Sequence, residues 1–344
     1  MEYKPDFSLK AEGQDITHAI AQGLSEIKLA DYGGATGRSD TLTITLYSET
    51  LALPTKGARL QLGLGFNGTF QDKGWFVVSQ VQSSGPPRQI IITATAAPMN
   101  SARQPGDVTS QKNRSFNDVT LGDIVKTIAT DNSLIPRVSP KLAEIPISHI
   151  DQVRESDAAL LTRLAKKYDA VSKPSGGYWM FLVQGEGTTV SGKPLPAVTI
   201  TPDMVTRWSY GEGKREGTSA GQSKGKVSVN YHDKTTGETK AVEVEHPGGA
   251  DKQHPYTQSD EQSAKASAKS KVTQMKRNSR TMNITLPARL SLLPVTAESR
   301  VTTQGFGVNE DQHWLTESMS YTLNSSGMAV DFSLVTDIKP SGGK

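Results

Sequence analysis

The chain has no cysteine. That absence removes disulfides, thiolate zinc sites and cysteine nucleophiles together, and it fits folding in a reducing cytosol. It also lacks a dominant charge: Lys+Arg 38 against Asp+Glu 35 leaves +3. A field that weak gives no general hold on a polyanion or an anionic membrane, so specific nucleic-acid binding is not expected. Long apolar runs are missing too. The most apolar stretch, Tyr178 to Val183, is far shorter than the ~20 residues that span a bilayer. The start, Met1-Glu2-Tyr3-Lys4-Pro5-Asp6, has acids and a proline where a secretion signal needs a basic and then apolar run, so no targeting segment and a soluble chain are expected. The hydrophobic share is 35%; exchanging 9 Tyr for 31 Gly to match ordinary bookkeeping gives roughly 41%, below the usual ~45–50%. In 344 residues such a lean interior points to several small β-rich units with much polar or subunit-facing surface.

The most informative feature present is a repeat. Residues 39–54 read SDTLTITLYSETLALP and residues 279–294 read SRTMNITLPARLSLLP, identical at seven of sixteen positions without a gap. Further on, Arg59 answers Arg300, Gly63 to Asn67 answers Gly305 to Asn309, Trp75 answers Trp314, and each Trp is followed by Ser-Ser-Gly. Self-similarity of this kind marks a duplicated structural unit. Within it Leu42, Ile44 and Leu46 alternate with Thr41, Thr43 and Thr45, and Met282, Ile284 and Leu286 keep the same parity. Period two with threonine on the other face is a half-buried strand. Short strands separated by Gly, Asn, Ser and Pro turns predict a small β-barrel at each end of the chain, with Leu42, Ile44, Leu46, Trp75, Met282, Ile284, Leu286 and Trp314 as barrel core.

Between the repeats the spacing turns helical. Leu121, Ile124, Val125 and Ile128 predict a helix over about 118–131, and Leu160, Leu161, Leu164 and Tyr168 a second from Ser156 to Asp169, followed by the strand 178–183. The expected class is mainly β, α+β overall: a first barrel over 1–100, an α+β middle domain over 101–210, a flexible linker over 211–225, and a second barrel over 226–340. The hairpin 226–245 is expected to open that second barrel. A polar helix over 259–278, started by a Ser259/Gln262 capping box, is expected inside it.

Catalytic strings occur without the context they need. Gly217-Thr218-Ser219-Ala220-Gly221 matches a serine-hydrolase elbow, with Asp251 and His254 following, but its flanks Lys214-Arg215-Glu216 and Gln222-Ser223-Lys224 supply neither buried strand nor helix. Gly63 to Gly68 matches a dinucleotide fingerprint, yet it runs into another strand, where a turn or bulge is the simpler use. His246, Asp251 and His254 are the sole cluster with ligand-like chemistry and read as a solvated loop. Asp31, Asp40 and Glu49 could be pictured as a glycosidase pair, but a pair is defined by separation across a cleft, and they are read as surface acids. Lys265, Lys269, Lys271, Lys276, Arg277 and Arg280 lack interleaved aromatics and read as a solvated helix face. Neither an enzyme nor a cofactor is expected.

Several segments, taken in order, resemble the phage late control D protein family, the baseplate hub proteins of contractile phage tails and R-type pyocins. Arg38-Ser39-Asp40-Thr41-Leu42 resembles its first-barrel signature, and Gly85-Pro86-Pro87 stands in its usual hairpin. Gln152-Val153-Arg154-Glu155-Ser156-Asp157, with Leu160, Leu161, Arg163, Leu164 and Ala165, resembles its helix motif. The resemblance spans nearly the whole chain and no motif in it is catalytic. It implies a homotrimeric hub, similar in architecture to the N-terminal part of VgrG spikes, that joins a central spike protein to the tail tube or a tube-initiator protein, with tape measure and baseplate wedge proteins as further partners. Assembly in the bacterial cytoplasm into a virion tail or tail-like bacteriocin is implied with it. Two related barrels per chain in a three-fold ring would present six similar surfaces to a six-fold tube. Two other classes stay open: a carbohydrate-binding or adhesin module, which needs an exposed aromatic platform, and a peptidoglycan hydrolase fused to a hub, for which the chain offers no obvious segment.

Overall fold

A computed structural model describes residues 4–34, 38–97, 108–189, 192–213, 224–246 and 250–338. The first unit contains β1 (Pro5–Ala11), β2 (Gln14–Asp15), α1 (Thr17–Ala21), β3 (Leu24–Tyr32), β4 (Thr41–Tyr47), β5 (Arg59–Phe66), β6 (Thr69–Ser84) and β7 (Gln89–Ala96). The middle unit follows with β8 (Gln111–Thr120), α2 (Leu121–Asp131), β9 (Ile135–Val138), α3 (Pro140–Ala143), β10 (Pro146–Ser156), α4 (Asp157–Tyr168), β11 (Ala170–Ser175) and β12 (Tyr178–Val183). The remainder is β13 (Ala197–Ile200), β14 (Arg207–Glu212), β15 (Gly225–His232), β16 (Thr239–His246), β17 (Lys252–Gln253), α5 (Glu261–Arg277), β18 (Arg280–Pro287), β19 (Arg300–Thr303), β20 (His313–Asn324) and β21 (Gly327–Thr336).

The fold is mainly β. Strands of the first and last units form one 13-stranded sheet with the order β14-β18-β21-β20-β3-β4-β7-β6-β5-β1-β2, and β19 pairs both β20 and β13. The two units expected as separate barrels are thus joined where β3 pairs β20, and they share one hydrophobic core. Period two decides which residues enter it: Leu42, Ile44 and Leu46 are fully buried while Thr41, Thr43 and Thr45 stay half-exposed. The glycine-rich string resolves into a hairpin. Asn67 and Gly68 both take positive φ, 49° and 78°, as a two-residue turn matched to strand twist requires.

The strand sets on either side of the β3–β20 junction share pairing order and register. In β4–β7, Leu42, Ile44 and Leu46 face Ala94, Ile92 and Ile90; in β18–β21, Met282, Ile284 and Leu286 face Leu334, Phe332 and Val330, a shift of 240 on both strands (44 to 284, 92 to 332). Each set has a register shift at the same place, between Val78 and Gln80 and between Thr316 and Ser318. This register corrects one core assignment. Phe76 faces Ala96 as Trp314 faces Thr336, so Trp314 corresponds to Phe76 and not to Trp75. Trp75 lies on the other face of β6, opposite Gln61, and is only half-buried, whereas Phe76 and Trp314 are buried. A slip of one residue exchanges the faces of a strand.

The middle unit has its own core, in which Leu121, Ile124, Val125 and Ile128 of α2 and Leu160, Leu161 and Leu164 of α4 cover Trp179 and Phe181 of β12. Helix α2 starts later than the spacing predicts. Thr120 is its N-cap in a reciprocal box with Asp123, and residues 117 and 118 stay in β8. The middle unit also ends earlier than residue 210, because β13 pairs β19 and β14 pairs β18 in the large sheet.

Hairpin β15–β16, expected to open the second barrel, instead forms a separate three-stranded sheet with β17. Val227 and Val229 pack on Ala264, Ala268 and Val272 of α5, whose small side chains allow close approach of helix to sheet. Asp260 caps this helix by accepting from the Ser263 N–H at 2.7 Å, in place of the predicted Ser259/Gln262 box. Of the predicted linker, Gly211 and Glu212 lie in β14 and Gly225 in β15; residues 214–223, and with them the Gly217 to Gly221 string, lie outside the described residues. No helix among the described residues is long and apolar enough to cross a membrane.

Candidate functional site

Two polar clusters organise the middle unit: one ties its own elements together, and the other joins it to the first unit. The first is built on the Gln152 to Leu164 motif. Ser156 ends β10 in extended conformation, and its Oγ accepts from the Ala159 N–H at 3.2 Å, which starts α4 and places Asp157 in the first turn. Asp157 is fully buried. Its carboxylate accepts from Lys112 Nζ at 2.6 Å, Arg114 Nη2 at 2.6 Å, Asn132 Nδ2 at 2.7 Å and Gln152 Nε2 at 3.0 Å. Burial alone would raise its pKa, but the bonds from Lys112, Gln152 and Asn132 and the Arg114 charge hold it below the usual carboxylate value. Gln152, also fully buried, accepts from Arg114 Nε at 2.7 Å and donates to Glu155 O at 2.8 Å. Glu155 pairs with Arg163 at 2.8 Å, and Arg163 donates to Asp151 O at 2.9 Å. Leu161 and Leu164, one and two turns further along α4, enter the middle core. The motif is therefore a knot that ties β8, β10, α2 and α4 to one ionised acid.

The second cluster lies where β3 meets the middle unit. Lys173 of β11 reaches Asp31 at 2.9 Å and Asp40 at 2.6 Å, with all three side chains 15–16% exposed. Asp31 also accepts from the Ala297 N–H at 2.9 Å, and Asp40 from the Tyr32 N–H at 3.0 Å. These two acids, read from sequence as surface groups, are instead mostly buried around one ammonium; Glu49 alone of the three is exposed. Burial raises Asp40 to about 6, helped by the Asp31 charge against that of Lys173, while Lys173 and the Ala297 N–H keep Asp31 below its ordinary value despite burial. Glu298, on the wall of the same cavity as Asp31 and Asp40, accepts from the Gly34 and Gly185 N–H groups at 2.7 and 2.9 Å, and Arg277 binds Asp169 at 2.8 Å and Gln184 at 2.7 Å. That cavity has a volume of about 330 Å³, and burial on its wall lowers Lys73 to about 8. Lys73 lies 3.9 Å from the Tyr321 ring centroid.

Asp40 gives this seam a pH signature. A carboxyl whose folded pKa is raised contributes stability that is complete below its unfolded value of 3.8 and is lost as pH rises through about 6. Asp40→Asn is neutral throughout, so wild type should gain in Tm relative to the variant as pH falls from about 7 to about 4. Calorimetric melts across that range check it; a pH-independent difference would mean that Asp40 is not the titrating member.

The remaining sequence candidates are not brought together. His246 binds Ala250 O at 3.0 Å, Asp251 accepts from the Lys226 N–H at 2.8 Å, and His254 meets Tyr256. Arg277, placed by sequence on a solvated face, is buried in its pair with Asp169. Among the described residues no group of three His, Asp or Glu is arranged to hold a metal ion.

Residues 107–327, which carry the whole Asp157 cluster and Lys173 but neither Asp31 nor Asp40, match the family model described as phage tail baseplate hub (GPD). The chain belongs to the phage tail baseplate hub family. A probable baseplate hub protein of Escherichia phage 186 is 31% identical over 369 residues, covering 96% of this chain and 92% of that protein. A probable baseplate hub protein of Escherichia phage P2 is 40% identical over 200 residues; that match spans 57% of this hub and half the length of the P2 protein. The fold is that of the 43 kDa tail protein of prophage MuSo2 from Shewanella oneidensis, with a TM-score of 0.68 at 15% identity over 97% of this hub and 98% of that chain. The hub is a component of a phage tail. The motif expected to mark the family, Gln152 to Leu164, falls inside the matched region and folds as the Asp157 knot. Sequence reasoning names Asp31 and Asp40 but misses Lys173 and the pairing, because nothing local signals a contact between residues 142 positions apart.

Proposed function

We propose that three copies of this hub form a closed ring that presents six similar sheet units to a six-fold tail tube on one side and a three-fold central spike on the other. The observation that carries this reading is the common register of β4–β7 and β18–β21, shifted by 240 on both strands. It supports an internal duplication, and a chain holding two alike units lets a triad of chains imitate a sextet. Closure by cyclic symmetry uses head-to-tail contacts between unlike surfaces. The middle unit and the β15–β16–α5 unit interrupt the repeat, so they are the elements that meet the spike and the neighbouring wedge or tape measure proteins differently from the tube. The role is structural, without a catalytic step: the buried acids Asp157, Asp31 and Glu298 are each engaged by fixed donors, which for Asp157 lie within the middle unit and for Asp31 and Glu298 join separate parts of the chain. Assembly takes place in the host cytoplasm before the tail is completed.

The test is the assembled particle. Native mass measurement should give a species near three times 37.0 kDa, about 111 kDa, alone or with a co-expressed spike. A density map should show the two sheet units alternating around one axis at equal radius. Units at unequal radii or heights would reject the adaptor.

A further inference from the structure

The junction between the two sheet units inside one chain is a template for the junction between chains. In it β3 lies antiparallel to β20, with Leu29 facing Tyr321 and Ile27 facing Leu323, all buried. The flanking registers identify the counterparts of both strands. Ile27 and Leu29 face Ile44 and Leu42 as Trp208 and Tyr210 face Ile284 and Met282, so β14 stands in the second unit where β3 stands in the first. Val81 faces Ile92 as Met319 faces Phe332, so the second half of β6 stands where β20 stands. Among the described residues both counterparts are open. β14 ends the strand order, and among the described residues no strand pairs with the second edge of β6 from Gln80 to Ser84.

We infer that β14 of one copy pairs antiparallel with Gln80–Gly85 of the next, in the register of the β3–β20 junction, so that Tyr210 faces Ser83, Ser209 faces Ser84 and Trp208 faces Gly85. This rests on the trimeric reading above and supplies its contact surface. Side-chain volumes fit the transferred register. Inside the chain Tyr321 and Leu323 meet Leu29 and Ile27, whereas across chains the large groups are on β14 and the small ones on β6. Trp208 is 40% exposed in the single chain, held edge-on by Phe306 at 5.4 Å, and Gly85 opposite leaves room for its indole. Pro86 and Pro87 have no N–H and end the pairing edge at the hairpin tip. An open edge with exposed aromatics is otherwise a site of uncontrolled association, and pairing with a second copy covers it. Because the two edges are different strands at separate places in the sheet, the contact is head-to-tail and can close on itself.

The chain has no cysteine, so paired cysteines give a clean readout. Residues directly opposed on antiparallel strands have Cα atoms about 4.5–5.5 Å apart, within disulfide reach. Ser84→Cys combined with Ser209→Cys should, on oxidation, give a reducible covalent ladder that stops at three chains. Mixing the two single variants should give covalent dimers only. Ser83→Cys with Ser209→Cys points the thiols to opposite faces and should cross-link at roughly a tenth of that yield or less. A trimer by native mass without the 84–209 cross-link, or one that cross-links equally at 83–209, overturns this pairing and leaves the trimeric hub standing. A monomer that never cross-links overturns both. A ladder running beyond three supports the strand pairing and overturns the closed ring.

Discussion

Ile44→Asp should leave no soluble folded hub, and Ile284→Asp should fail in the same way, while Thr43→Asp should fold with a Tm close to wild type. Ile44 is fully buried on a central strand, between Ile27 of β3 and Ile92 of β7. Ile284 is its counterpart between Trp208 and Phe332. A carboxylate at either site has apolar or aromatic neighbours on both sides, so it must lose its hydration or take a proton. Adding the lost apolar burial, the cost exceeds about 5 kcal/mol, comparable with the whole stability of a typical domain. At position 43 the side chain points to the other face, opposite Lys28 and Thr93. There a carboxylate stays hydrated beside an exposed ammonium, and the change is expected to lie within about 1 kcal/mol. Soluble yield and thermal melts of the three variants decide the matter; equal tolerance at 43 and 44 would mean that the faces of β4 are reversed.

That contrast is legible in the amino-acid sequence because a strand's period is local: Leu42, Ile44 and Leu46 announce their face within six residues. The same is true of the Asn67-Gly68 turn and of Ser156 as the cap of α4. Choices of partner are not local. Val227 and Val229 signal a half-buried strand equally well whether α5 or the large sheet covers them, and sequence leaves the covering element undetermined. Trp75 and Trp314 illustrate a different failure. Matching letters pairs Trp with Trp, but the backbone register pairs Phe76 with Trp314. In a sheet the register, fixed by hydrogen bonding and by the shared bulge, decides the face.

The polar clusters are legible only in part. Asp157 can be placed in the first turn of a helix and within a family motif, where an acid is favoured by the helix dipole. Its burial cannot be read, since Lys112 and Arg114 stand on β8 and Asn132 just past the end of α2. Asp31 and Asp40 give still less, because alternation marks apolar faces and is silent on which acid meets a lysine in another unit.

Asp157→Ala carries the second large effect, and it should be confined to the middle unit. Removing the carboxylate deprives four donors of their acceptor at once. Lys112 and Arg114 retain partial exposure and can turn to water, and Arg114 keeps Asp131. Gln152 and Asn132 are buried, so their Nε2 and Nδ2 groups must make do with Glu155 O and Ile128 O. Breaking a buried ionic network by removing one member costs about 3–5 kcal/mol. Hydrogen exchange should show protection lost over 108–183 while β4, β7, β18 and β21 keep theirs, since the two regions have separate cores. The acid side supplies an independent sign. Asp157 has a lowered folded pKa, so its contribution is present above the unfolded value of 3.8 and is lost as pH falls through the folded one. Wild type should therefore lose its advantage over Asp157→Ala in strong acid, in the direction opposite to Asp40. Uniform loss of protection across both cores would mean that the knot supports the whole hub and not the middle unit alone.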